Sequence, residues 1–177
     1  LAGDVLFGGT TGGDQPIAGK IYAVNADTGK PAWTFDIIKN DPASWPGESG
    51  KVGGGSAWMP GTYDEASDTL YIGTSNAAPD YYTPGREGDN KYTSTLLAID
   101  PKTGTLTGLD IDLGNAIAQK LGITIKWEEI SFEGMIPALT TGRVDMILSG
   151  MSDLPSRRES LDFIDYLASG AQFYTNA

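Results

Sequence analysis

The groups available for chemistry in this sequence are oxygens, amides and guanidinium groups, because the chain has no cysteine and no histidine. Disulfides, thiolate nucleophiles, Ser–His triads and ordinary zinc sites are removed together. A bound metal would need oxygen ligands, which points to a hard cation such as Ca²⁺ or Mg²⁺. The most localised cationic feature is "SRRE", Ser156 to Glu159. Its spacing is that of a capping box, which predicts a helix opening at Ser156 with Arg157 in its first turn. An isolated Arg on a helix is more often a solvated surface charge, and Arg158 reads as surface.

The net charge of −11 argues against nucleic acid and anionic membranes, both of which select basic patches. A solvated acidic surface accounts for it equally well. There is no apolar run of about 18 residues, so no membrane insertion is expected. The chain opens at Leu1 in strand-like sequence without a signal-peptide pattern, as a mature protein or a fragment would.

The elements that must position any site change texture near Leu106. Residues 1–106 hold 17 of the 24 glycines and 8 of the 10 prolines, so the two parts differ in backbone chemistry. The first part reads as short strands, "DVLFGG", "KIYAVN", "PAWTFD", "TLYIGT" and "STLLAID", between turn clusters. That pattern predicts an all-β sandwich, barrel or propeller. One unit recurs: "AVNADTGKPAW" from Ala23 and "AIDPKTGTLTG" from Ala98 share a strand running into an Asx/Gly turn. Repetition of such a unit fits propeller blades.

The second part has a different period. Leu109, Leu113, Ile117 and Leu121 recur every four residues, which predicts a helix with Asp110 accepting N–H bonds near its start and Gly122 just past its end. "ITIKW" and "VDMILSGM" read as strands, and "FEGMIPALTTG" as a helix ended by Gly142. The alternation predicts a βαβα unit with a mostly parallel sheet. The fold class expected is therefore α+β: an incomplete propeller-blade portion over residues 1–106, then an α/β half-lobe over 107–177. The half-lobe, with short-range contacts, is expected to be the better-packed of the two.

Residues 3–106 resemble the pyrroloquinoline quinone (PQQ)-dependent alcohol dehydrogenases, periplasmic quinoprotein β-propellers. The matching pieces, in order, are "GGDQPIAGKIYAVNADTGKPAW", "GGGSAW", "YDEASDTLYIGTSNAAP" and "GREGDNKYTSTLLAIDPKTG". The resemblance implies that Trp58 carries the PQQ ring and that Asp14 and Asn76 ligate a Ca²⁺ held with it. Read without the family, Trp58 is equally an ordinary core aromatic, and Asp14 and Asn76 are turn residues. Residues 108–174 resemble the periplasmic solute-binding proteins of amino-acid ABC importers. The motifs are G-x-D-I-D-L, K-L-G, F-E-G-x-I-P-A-L, G-R-V-D and R-x-x-x-x-D-F. The resemblance implies that Arg157 grips a ligand α-carboxylate, which fits a guanidinium's two parallel bonds and the favourable field of a helix N-terminus. It also implies that Gly150 and Ser152 hold the α-amino and carboxylate groups, that Phe132 walls the side chain, and that an importer permease is the partner.

The two resemblances meet at "TGTLTG", where the turn patterns of both families agree. The chain reads as a chimera of two periplasmic fragments. The activity expected is weak binding of a polar amino acid without catalytic turnover; the alternative is a PQQ- and Ca²⁺-dependent alcohol dehydrogenase fragment.

Overall fold

In the computed structural model, described for residues 1–13, 17–39, 41–80, 84, 87–130 and 132–168, the chain divides into two compact units that meet in sequence at Gly108 and Leu109. Among the described residues, the first unit carries six strands: β1 (Val5–Gly9), β2 (Lys20–Asn25), β3 (Pro31–Asp36), β4 (Thr62–Asp64), β5 (Thr69–Gly73) and β6 (Leu96–Ile99). They form two antiparallel three-stranded sheets, β1-β2-β3 and β4-β5-β6. A four-residue helix, α1 (Ser49–Val52), lies in what reads from sequence as a turn cluster.

Alternation along the strands builds one core from both sheets. Ile21 and Phe35 come from the first, and Leu70, Ile72, Leu97 and Ile99 from the second. Ile21, Leu70 and Ile99 are fully buried. Each such side chain contributes about 1.5–3 kcal/mol. Phe35 meets Tyr92 edge to face at 5.2 Å, the arrangement that ring quadrupoles favour.

The repeated turn takes the same form twice. Asn25 Oδ1 accepts the Thr28 N–H at 2.9 Å, and the Gly29 N–H returns to the Asn25 carbonyl. Asp100 Oδ1 accepts the Lys102 N–H at 2.7 Å, and the Gly104 N–H returns to the Asp100 carbonyl. The short polar side chain closes each turn locally, and the glycine takes the left-handed position, with φ +65° at Gly29 and +72° at Gly104.

Among the described residues, the second unit carries three helices: α2 (Leu109–Leu121), α3 (Phe132–Thr140) and α4 (Pro155–Arg158). Gly122 and Gly142 end α2 and α3 as expected. In each, the next residue's N–H reaches back to close the last turn, Ile123 to Ala118 at 3.0 Å and Arg143 to Ala138 at 2.9 Å. The buried face of α2 is offset by one residue from the predicted leucine stripe. Gly114 and Ala118 are buried, while Leu109 and Leu121 are exposed. The reason is Trp127, whose ring lies so close over Gly114 that a β-carbon there would meet it at 2.4 Å.

Two expectations are corrected here. The segments "ITIKW" and "VDMILSGM" form no strands, and no backbone–backbone hydrogen bond involves residues 124–128 or 145–148 among the described residues. Their apolar side chains, Ile123, Ile125, Trp127, Val144, Met146 and Leu148, instead line a cavity of about 530 Å³. A helix satisfies its own backbone, whereas a strand requires a neighbour, and neither segment has one. The βαβα sheet is therefore absent from the described residues. Packing among the described residues also runs opposite to expectation: both hydrophobic clusters belong to the first unit, and the buried apolar side chains of the second are Ala118, Ala138 and Leu161.

Candidate functional site

Two groups of residues could hold ligands, one in each unit. In the first unit, the site is organised by the irregular stretch Gly53–Gly55. Gly54 bridges to Ala18 on one side and to Ala77 on the other. It accepts the Gly19 N–H, and the neighbouring Gly55 N–H donates to the Asn76 carbonyl at 2.8 Å. Gly54 has φ +96°, and a β-carbon on it would stand 2.4 Å from the Ala78 nitrogen. Only glycine allows three backbones to approach so closely.

This crossing delivers Trp58 and Asn76 to one pocket of about 490 Å³, together with Thr11, Gly12, Gly13, Ser56 and Ser75. Trp58 is 62% exposed, so its indole is a wall of the pocket and no part of the core. Ser56 and Ser75 pair through their hydroxyls at 3.1 Å and are further joined by the Ser56 N–H to Ser75 Oγ bond. A β-carbon on Gly13 would strike both hydroxyls, at 2.8 and 2.9 Å.

The Asn76 amide is oriented by its neighbours. Its Nδ2 donates to the Ala77 carbonyl at 2.9 Å and to Asp80 Oδ1 at 2.6 Å. Both amide hydrogens are thereby occupied, and Oδ1 accepts no bond among the described residues. Asp80 is a residue that sequence reading missed; its only signal was its position four residues after Asn76. Asp14, the other expected metal ligand, lies outside the described residues. Among the described residues, no group of three or more carboxylates is placed to hold a metal.

The second group lies in the other unit. Arg157 brings three of the four expected ligand-binding residues together. Its guanidinium lies over the Phe132 ring at 5.3 Å, and Nη1 donates to the Ser152 carbonyl at 2.8 Å. Gly150, two residues before Ser152, has φ +61°, and its N–H donates to the Tyr166 hydroxyl at 2.8 Å. That hydroxyl donates in turn to Asp110 Oδ1 at 2.7 Å. Burial, and then the bond to Asp110, push the Tyr166 hydroxyl above its ordinary pKa, so it stays protonated.

Two readings of this region are corrected. Ser156 does not cap α4: Leu154 holds the cap position without a side-chain bond, and Pro155 opens the helix. Proline at the first helical position presets the backbone and has no N–H to satisfy, so it moves the start forward. With only four residues, α4 supplies Arg157 with little helix field. Arg158 pairs with Asp153 through two guanidinium nitrogens, an exposed ion pair consistent with its reading as surface. Tyr166 was not picked out in the sequence, where nothing near "DFIDYL" signals a contact with Gly150.

Comparison with known proteins supports both halves. Residues 93–177 match the model of the bacterial extracellular solute-binding proteins, family 3. Over 95 residues, 54% of the chain, the sequence is 43% identical to a probable histidine-binding protein of Campylobacter jejuni, of which it covers 30%. It is 41% identical over 71 residues, 40% of the chain, to the L-arginine-binding protein of Pseudomonas aeruginosa, of which it covers 27%. Toward the other family, it is 39% identical over 124 residues to the quinohemoprotein alcohol dehydrogenase ADH IIB of Pseudomonas putida, covering 60% of this chain and 18% of that one. The solved structure of a europium-containing methanol dehydrogenase superposes with a TM-score of 0.52 at 31% identity, over 58% of this chain and 22% of that one. The chain thus spans about a fifth of the dehydrogenase relatives and under a third of the binding proteins. No helix among the described residues is long and apolar enough to cross a membrane. The two family matches overlap at residues 93–107, around β6 and the second repeated turn. Through residues 3–107, more than half its length, the chain belongs to the PQQ family, the β-propeller domain of glucose, ethanol and alcohol dehydrogenases.

Proposed function

We propose that the second unit is a weak binding module for a polar α-amino acid. One observation carries this reading: Arg157, Phe132 and Ser152 converge, with the guanidinium carbon 5.3 Å from the centre of the Phe132 ring. A cation on a ring face is pre-oriented at small entropic cost. The guanidinium has five N–H donors, of which one is engaged among the described residues, so a carboxylate can still be received in the fork. The same reading assigns Gly150 and Ser152 to the α-amino and carboxylate groups. The names of the relatives indicate a basic or heterocyclic side chain, and the family indicates a periplasmic setting with an importer permease as partner. The open, exposed geometry makes the affinity low. Calorimetry with L-arginine and L-histidine tests the reading. Heat of binding in the millimolar range, lost in Arg157→Ala, supports it. No heat from any polar amino acid overturns it.

A second reading is supported by the pocket of the first unit. A flat exposed indole, a glycine cradle, two paired hydroxyls and an amide oxygen in the pocket lining suit a planar, oxygen-rich quinone accompanied by a hard cation. We infer that Trp58 would carry PQQ on its ring, that Asn76 Oδ1 would face Ca²⁺, and that Asp14 would add a carboxylate. PQQ, when bound, accepts hydride from an alcohol. The role of this chain's own residues is to hold and orient it, Asp80 doing so through the Asn76 amide. No residue here is assigned as a catalytic base, and the activity proposed for this unit is binding alone.

A further inference from the structure

We propose that Tyr166 is a built-in competitor for the ligand carboxylate at Gly150, a plug that lowers the affinity of the amino-acid site. The proposal rests on the amino-acid reading of that site. Its geometry is independent of that reading: the Tyr166 oxygen already accepts the Gly150 N–H at 2.8 Å, as a bound carboxylate oxygen would. The phenol is held there from behind. Its own proton goes to Asp110 Oδ1 at 2.7 Å, in the first turn of α2.

Donation to a carboxylate makes the phenol oxygen a better acceptor, so the two bonds strengthen each other. Three segments distant in sequence, the start of α2, the loop at Gly150 and the stretch after α4, are thus tied at one oxygen. A ligand carboxylate that takes the Gly150 N–H must first displace Tyr166. The Tyr166–Asp110 bond can persist during that exchange, so what is lost is one neutral hydrogen bond. Such a bond is worth about a fivefold change in an equilibrium constant.

The discriminating variant is Tyr166→Phe, which keeps the ring and deletes the oxygen. In the full chain, calorimetry with L-arginine should show about fivefold tighter binding in Tyr166→Phe than in the parent. Asp110→Ala should tighten binding in the same direction, and adding it to Tyr166→Phe should give no further gain, because both act through one oxygen. The amide resonance of Gly150 gives a readout that needs no ligand: it should lose its hydrogen-bonded shift and its exchange protection in Tyr166→Phe. Equal or weaker L-arginine binding by Tyr166→Phe overturns the plug while leaving the site reading intact. Absence of binding by both chains overturns the site reading and the plug with it.

Discussion

The Trp33 indole N–H donates to the Pro101 carbonyl at 2.7 Å, across 68 positions of sequence. It joins the return strand of the first repeat to the turn of the second. The same ring covers Gly104 so closely that a β-carbon there would stand 2.5 Å from it. Trp33→Phe should therefore lower the stability of the first unit by about 1 kcal/mol, since the partner carbonyl loses its donor. Gly104→Ala should cost more, because the left-handed backbone and the ring contact both oppose a side chain. Urea unfolding monitored by near-ultraviolet dichroism checks both, and a Gly104→Ala chain as stable as the parent would contradict the packing described.

Hydrogen exchange should divide the chain at Gly108. Amides of β2, β5 and β6 sit in ladders over the shared core and should be the slowest. Amides of residues 124–128 and 145–148 have no backbone partner among the described residues and should exchange within the dead time of a manual experiment. Comparable protection at "ITIKW" and at "KIYAVN" would mean that a sheet forms in the second unit after all.

Acid should weaken the first unit. Asp41 is held below the usual carboxylate range chiefly by the Ser44 hydroxyl, Asp64 chiefly by the Ser67 hydroxyl, and Asp68 chiefly by Lys102 and then Tyr63. Their folded pKa values lie below the unfolded ones. The stability they contribute is thus fully present above about pH 4 and is lost as pH falls through the folded values. Thermal unfolding followed from pH 7 to pH 3 should show a falling midpoint below about pH 4. Asp68→Asn should flatten that fall, and an unchanged profile would remove Asp68 from the account.

Quinone binding should depend on the pocket side chains in distinct ways. Equilibrium dialysis with PQQ should show retention by the parent chain that is lost in Trp58→Ala. Asn76→Ala should abolish the dependence of retention on added Ca²⁺, and Asp80→Ala should weaken it, since the amide can then turn its nitrogen outward. Retention indifferent to Trp58 would count against the stacking plane.

Much of this protein was legible in its sequence, for a common reason: the legible features are closed by near neighbours. The two Asx/Gly turns and the glycine ends of α2 and α3 all depend on bonds spanning a few residues. Family motifs with fixed spacing brought Phe132, Ser152 and Arg157 to attention, and Trp58 with Asn76, before any coordinates. Tertiary structure decided what depends on distant partners. Strand character at "ITIKW" and "VDMILSGM" was locally plausible, yet a strand without a neighbour has nowhere to send its N–H and C=O groups. Which unit holds the core was decided by the pairing of β1-β2-β3 against β4-β5-β6, and which face of α2 is buried by Trp127 over Gly114. Asp80 behind Asn76 and Tyr166 on Gly150 are contacts between side chains and backbone that the motifs do not encode, because a hydrogen bond depends on where the chain returns and no residue type states that in advance.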